Sequence, residues 1–344
     1  MRDANAPTPA ASAARFFDVA FLLAAAAAAG LIALMAVGAR TWIDRPFAGF
    51  FVRADRTIAA VGRLDWRDVA ASRLYERTVV AVDGVTLRAS DELHRRVAAK
   101  PLGAATTYTV TDGVTTETIT LASRRFTVGD YWAVFGAFFA SGLCFVLLSI
   151  VAAWRRPAEP FGRALLLLGA VGGCYMLTSA DLYPPASSLR LHALATALLP
   201  GALLQFALAV GDTRGRFAAG ALPIVWAVSF AAAASMQIAI GNPTETRWIH
   251  ATCDGALGLA LVAACIGLAA RVRVANEAVV VACTALFGLG VPAVVFLLAS
   301  TLGGIPQNAS ATLAFLFPVG MTAALLRRDR CFDTAVVARV RGSL

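Results

Sequence analysis

Val79-Val80-Ala81-Val82-Asp83-Gly84 is a run of β-formers closed by a turn pair. It lies inside the one long polar stretch of the chain, Arg40 to Thr127, with one apolar segment before that stretch and seven after it. An Asp-Gly pair tolerates the positive φ angles of a tight reversal, so the run predicts a strand and a sharp turn. Around it the stretch has the pattern of a small α+β domain. Phe50-Phe51-Val52 and Thr57-Ile58-Ala59-Ala60-Val61 are short β-type runs, and Trp66 to Ala71 suits one or two helical turns. Ser90 stands where an N-cap belongs, and Asp91 and Glu92 follow where the helix dipole favours negative charge. Leu93, Val97 and Ala98 stripe that helix, and Pro101 and Gly103 stop it. Thr106 to Thr111 and Val114 to Leu121 are two more strands, and Asp112-Gly113 between them predicts a two-residue hairpin turn.

On these motifs, residues 45–123 resemble a PDZ domain of the bacterial kind. Ala48-Gly49-Phe50-Phe51 resembles the loop that receives a peptide carboxylate, Val79 to Gly84 the apolar strand ending in Asn-Gly or Asp-Gly, and the Ser90–Lys100 helix the one beside the peptide groove. The resemblance implies binding by strand addition. A peptide pairs with the edge at Phe50–Arg53, Gly49 and Phe50 offer N–H groups to its terminal carboxylate, and Leu93 and Val97 line the pocket. The implied peptide-binding set is Ala48, Gly49, Phe50, Phe51, Leu93 and Val97. The family's Gly-Asp step is missing: after Leu74 the chain has Tyr75-Glu76-Arg77-Thr78. Phe50, Leu93 and Val97 also suit an ordinary core.

The rest of the chain belongs in a membrane. Of 344 residues, 59% are hydrophobic and 15% charged, with a mean hydropathy of +0.71, far from a soluble domain. The net charge of +9 does not point to nucleic acid, because the arginines sit in short loops beside apolar segments. Lys100 is the lone lysine and alanine is abundant, in keeping with a GC-rich bacterial source. The six cysteines show no CxxC spacing, so neither a zinc site nor a disulfide framework is expected.

Residues 1–15 read as a disordered cytoplasmic tail. Residues 16–39 hold the first apolar run, Phe16 to Val37. Val37-Gly38-Ala39 resembles a signal-peptide cleavage site, but the run exceeds the roughly 7–15 residues of a signal core and favours a retained anchor. The polar domain occupies 40–127 and a seven-helix membrane bundle 128–326. Its spans are expected near 128–153, 164–180, 191–210, 218–240, 251–270, 278–300 and 309–326, each long enough for about 30 Å of hydrocarbon as a helix. Arg155, Arg156, Arg163, Arg214, Arg216, Arg271, Arg273, Arg327, Arg328 and Arg330 fall at one set of ends, against Arg190 and Arg247 at the other. The positive-inside rule makes the first set cytoplasmic. The expected fold is a multi-pass helical protein of the bacterial inner membrane, with about eight transmembrane helices, both termini cytoplasmic and the PDZ-like domain inserted extracytoplasmically between the first two.

No enzyme motif stands out: HExxH, GxSxG, a Walker loop and GxGxxG are all missing from the sequence. The reading is non-catalytic, with no cofactor and no metal. Asp181, Tyr183, His192, Glu245, His250 and Asp254 all map to the outward ends of helices. They define a candidate polar pocket sensitive to pH or a small ligand, against the plain reading that loop ends are polar because they meet water. Gln205 and Gln237, the main polar side chains within helices, suit interhelical hydrogen bonds.

Residues 327–344 follow the last helix as a cytoplasmic linker. Arg327-Arg328-Asp329-Arg330, Phe332-Asp333, Val336-Val337 and Arg339 resemble the segment that leaves the last membrane helix in sensor histidine kinases of the competence-pheromone type. The order of anchor, PDZ-like domain, helix block and linker is similar too, so the chain resembles the sensor half of such a kinase. No phospho-accepting His and no ATP-binding Asn/Gly set follow within these residues, so no kinase activity carries over. Two functions are expected from the resemblance. One is a signal-input protein with a periplasmic peptide or protein end as ligand and a cytoplasmic signalling partner. The other is an adaptor that docks a periplasmic protein and assembles with membrane-complex subunits. Membrane lipid is a partner in both.

Overall fold

The computed structural model describes residues 26–34, 37–38, 43–63, 66, 74–155, 160–183, 186–211, 216–240, 243–272, 288, 290–292, 294 and 314–326. Residues 26–34 are helical. The polar stretch then forms β1 (Pro46–Phe47), β2 (Thr78–Val82), β3 (Val85–Thr86), helix α1 (Ser90–Ala98), β4 (Ala105–Thr111), β5 (Thr116–Ala122) and β6 (Arg124–Arg125). The main sheet runs β3-β2-β4-β5, with every pair antiparallel. β1 and β6 pair separately, Phe47 opposite Arg124. That second ladder brings the two ends of the domain together beside the first long helix.

The turn at Asp83-Gly84 follows the sequence reading. Val82 faces Val85 across the reversal, with φ of 50° at Asp83 and 76° at Gly84. Other local expectations need correction. Thr111 faces Thr116, so the second hairpin has a four-residue loop, not a two-residue turn. The Asp112 carboxylate accounts for this by accepting the N–H groups of Val114 at 2.8 Å and Thr115 at 2.7 Å, which closes a longer loop around its own side chain. Ser90 is not the cap of α1. Ala89 holds the cap position with extended backbone and no side-chain cap bond, while Arg88 N–H donates to Glu92 Oε2 at 2.9 Å. Ser90 is turned inward and buried. The runs at 50–52 and 57–61 reduce to isolated bridges, Val52 opposite Ile58 and Thr57 opposite Thr78. Of the Trp66–Ala71 turn, all but Trp66 lies outside the described residues.

Phe50, Val52, Ile58, Leu74, Val79, Val82, Leu93, Val97, Tyr108 and Val110 form the core of this domain. Leu93 and Val97 lie one helical turn apart on one face of α1, the spacing that makes a nine-residue helix amphipathic.

The remaining described chain is almost all helix: α2 (Val128–Arg155), α3 (Pro160–Thr178), a 3-10 turn (Ser179–Asp181), α4 (Leu189–Gly211), α5 (Arg216–Ala239), α6 (Pro243–Val272) and α7 (Leu316–Leu326). Four stretches, Val128–Arg155, Phe161–Asp181, Leu189–Ala209 and Gly220–Ala239, are long and apolar enough to cross a membrane. Thr252–Ala264 and Leu316–Leu326 are shorter apolar helices. By helix length and composition this is a helical membrane protein. Most of the first apolar run, most of the span expected at 278–300, and the whole of 327–344 lie outside the described residues.

α2 and α3 approach closely because α3 carries glycines on the facing side. A Cβ at Gly169 would stand 2.6 Å from Ser149 N and 2.7 Å from Phe145 O, both main-chain atoms of α2. Ser149 Oγ donates to Leu166 O at 2.8 Å across the same contact. Close backbone approach with a bridging hydroxyl is how helices associate in lipid, where burial of apolar surface supplies little drive. Gln205 and Gln237 both bridge elements as expected: Trp226 Nε1 donates to Gln205 Oε1 at 2.7 Å, and Gln237 Nε2 donates to Arg190 O at 2.8 Å.

Candidate functional site

The polar domain rests on the bundle through aromatic rings. Phe47 and Phe126 come from the β1–β6 ladder, or just beyond it, and Phe51 and Trp66 from the loops nearby. Tyr131 and Phe135 come from the first turns of α2, and Tyr183 follows the 3-10 turn after α3. All seven are buried in one cluster with Leu177 and Ala180. Phe51 lies between the two bodies. Its ring is 4.6 Å from Tyr183 and 5.3 Å from Phe135 on the bundle side, and 4.8 Å from Phe47 and 5.5 Å from Phe126 on the domain side. These separations suit offset and edge-to-face packing, which adds about 0.5–1.5 kcal/mol per pair beyond area burial.

Two residues further on, Arg53 reaches back into its own domain. Its Nη2 lies 2.5 Å from Glu76 Oε2. Glu76 has φ of 66°, in a turn closed by Arg77 N–H on Leu74 O at 3.1 Å. Burial works against the Arg53 charge, but Glu76, Asp55 and, from the bundle side, Asp254 and Tyr183 outweigh it. They hold the guanidinium above its ordinary range. Burial pushes the Tyr183 phenol well above its usual value, so it stays protonated.

The predicted peptide-binding residues do not line an open cleft. Ala48, Phe50, Phe51, Leu93 and Val97 are all at most 2% exposed, and Gly49, at φ 89°, is buried with them. Phe51 O accepts from Ala59 N–H and Arg53 N–H donates to Thr57 O, both at 2.9 Å, so one side of this strand is already paired. The N–H and C=O of Val52 point to the opposite side, and Val52 has no exposed surface. Phe50 packs edge-on to Tyr108 at 5.1 Å in the domain core, whereas its neighbour Phe51 belongs to the seam.

Of the predicted polar pocket, Asp181, Tyr183 and His192 are buried. Asp181 is buried and accepts Ser188 N–H at 2.6 Å, which ties the 3-10 turn to the start of α4. His192 is also buried. Its Nδ1 lies 3.0 Å from Thr178 Oγ1, and its ring stacks on Tyr175 at 5.0 Å. Tyr183 lies in the aromatic seam, and Asp254 is half-buried on α6. Glu245 and His250 lie on α6, but their side chains fall outside the described set. Sequence reasoning missed Arg53, Glu76, Tyr175 and Thr178, whose partners are distant in the chain or on other helices.

His94, on α1, packs against the seam. Its ring stacks on Phe47 at 6.4 Å, and its Nε2 is buried without a hydrogen-bond partner among the described residues. Burial pushes its pKa down to about 4, so it sits neutral against the seam. Among the described residues, no group of three or more His, Cys, Asp or Glu side chains is placed to hold a metal ion.

No family model matches this chain, and no curated protein or solved structure resembles it significantly.

Proposed function

We propose that this chain is a non-catalytic signal-input protein of a bacterial inner membrane. Its 40–127 domain, PDZ-like and extracytoplasmic, takes the end of a peptide or protein. Its seven-helix bundle passes the change to a cytoplasmic partner through residues 327–344. The observation that carries this reading is Phe51, the last residue of the proposed carboxylate loop, whose ring lies 4.6 Å from Tyr183 of the bundle. A ligand pairing with 50–53 must move residues that already touch the membrane helices. Transmission then requires only that the ligand favour one of two seam arrangements by its own differential affinity.

The second reading is an adaptor, and the burial of all six proposed groove residues favours it, since a closed groove suits a rigid docking cap. The test is a pull-down from native membranes in mild detergent, tagged at the C-terminus, for the wild type and Phe51→Ala. The input reading expects a cytoplasmic signalling enzyme whose recovery changes in the variant. Membrane and periplasmic proteins alone, in fixed ratio and unaltered by the variant, would replace it with the adaptor.

A further inference from the structure

The seam carries an ion pair as well as aromatic rings. The domain contributes Arg63, whose Nη1 lies 3.1 Å from Asp130 Oδ1 in the first turn of α2. The other Asp130 oxygen accepts the Thr127 N–H at 2.9 Å and its hydroxyl at 2.8 Å. The carboxylate is thus held in place by its own helix terminus while Arg63 binds it. The Arg63 and Asp130 side chains are 36% and 16% exposed, so water and ions reach this pair. Such a pair contributes modestly and is weakened by salt.

We infer that the Arg63–Asp130 pair is a releasable electrostatic clamp that seats the polar domain on the bundle, so that the seam loosens as ionic strength rises. This clamp holds whether the domain reads a peptide or only docks a partner. Its failure and that of the proposed function are therefore distinguishable.

The test is hydrogen exchange with mass spectrometry on the full chain in nanodiscs of zwitterionic lipid, at low and at high salt. The readout is the seam segment, residues 44–52 and 124–131, with the central sheet, residues 105–122, as reference. In the wild type, high salt should speed seam exchange about twofold to fivefold while the sheet stays unchanged. Arg63→Gln should show the fast rate already at low salt and lose the salt response. Asp130→Asn should match it, and the double variant should add nothing further. Seam exchange that ignores both salt and Arg63→Gln overturns the clamp. So does a rise spread equally over seam and sheet, which would report loss of the fold.

Discussion

Glu76 shows a side chain and a backbone conformation accepted together. An L-residue at φ 66° is disfavoured by about 1–2 kcal/mol, and glycine would avoid that cost. The carboxylate in return clasps Arg53 at 2.5 Å. Glu76→Ala keeps the strain and loses the pair, whereas Glu76→Gly loses the pair alone. Thermal or urea unfolding should therefore place the alanine variant about 1 kcal/mol below the glycine variant; equal stabilities would refute the account. His94 yields a pH prediction. Its folded pKa of about 4 lies below the usual 6.5, so between those values the unfolded chain binds a proton that the folded one refuses. Stability is full above about pH 6.5 and falls as the pH drops towards 4, by on the order of 2 kcal/mol. His94→Phe should flatten the upper part of that window in an unfolding-versus-pH series. An unchanged slope would show that the ring is not neutral and buried as described. Neither residue's role was legible in sequence. Glu76 and Arg53 are 23 positions apart, and nothing in the spacing of a lone histidine reveals a phenylalanine 47 positions before it.

Elements whose cause is local were the readable ones. Asp83-Gly84 makes its turn because both backbones adopt positive φ, and the apolar stripe of α1 needed only Leu93 and Val97 at helical spacing. Asp112-Gly113 was legible as a reversal but not in its length, because the carboxylate chooses among nearby N–H donors only once the loop is formed. The membrane helices followed from length and apolarity, but their packing did not, since it depends on which glycines meet which backbone. Gly169 tests that packing. Gly169→Ala puts a methyl against main-chain atoms of α2 that cannot rotate away, and should lower helix-bundle stability by about 1–3 kcal/mol. Gly220→Ala, in α5 with open space around it, should be neutral or slightly stabilising. Melting in detergent decides between them, and equal effects would mean that α2 and α3 do not approach as described.

At the scale of the whole molecule, the placement of the domain relative to the membrane is open to direct chemical test. Val114, at a hairpin tip and 93% exposed, should be labelled as Val114→Cys by a membrane-impermeant maleimide in intact spheroplasts. Cys331 should react only after lysis, and the reverse order would invert the proposed topology. The domain's outline was legible because polar sequence between apolar runs is conspicuous. Its seating was not, because Phe51 and Tyr183 are far apart in the chain and meet only when both bodies exist. That contact has a consequence for biogenesis. On the proposed topology, residues 40–127 cross the membrane before Val128–Arg155 and Tyr183 have been synthesised and inserted. Until then Phe47, Phe51, Trp66 and Phe126 have no surface to rest on. The nascent domain leaves the translocon with an uncovered aromatic face, a ready client for an envelope holdase, and its maturation waits on the insertion of the helices that follow.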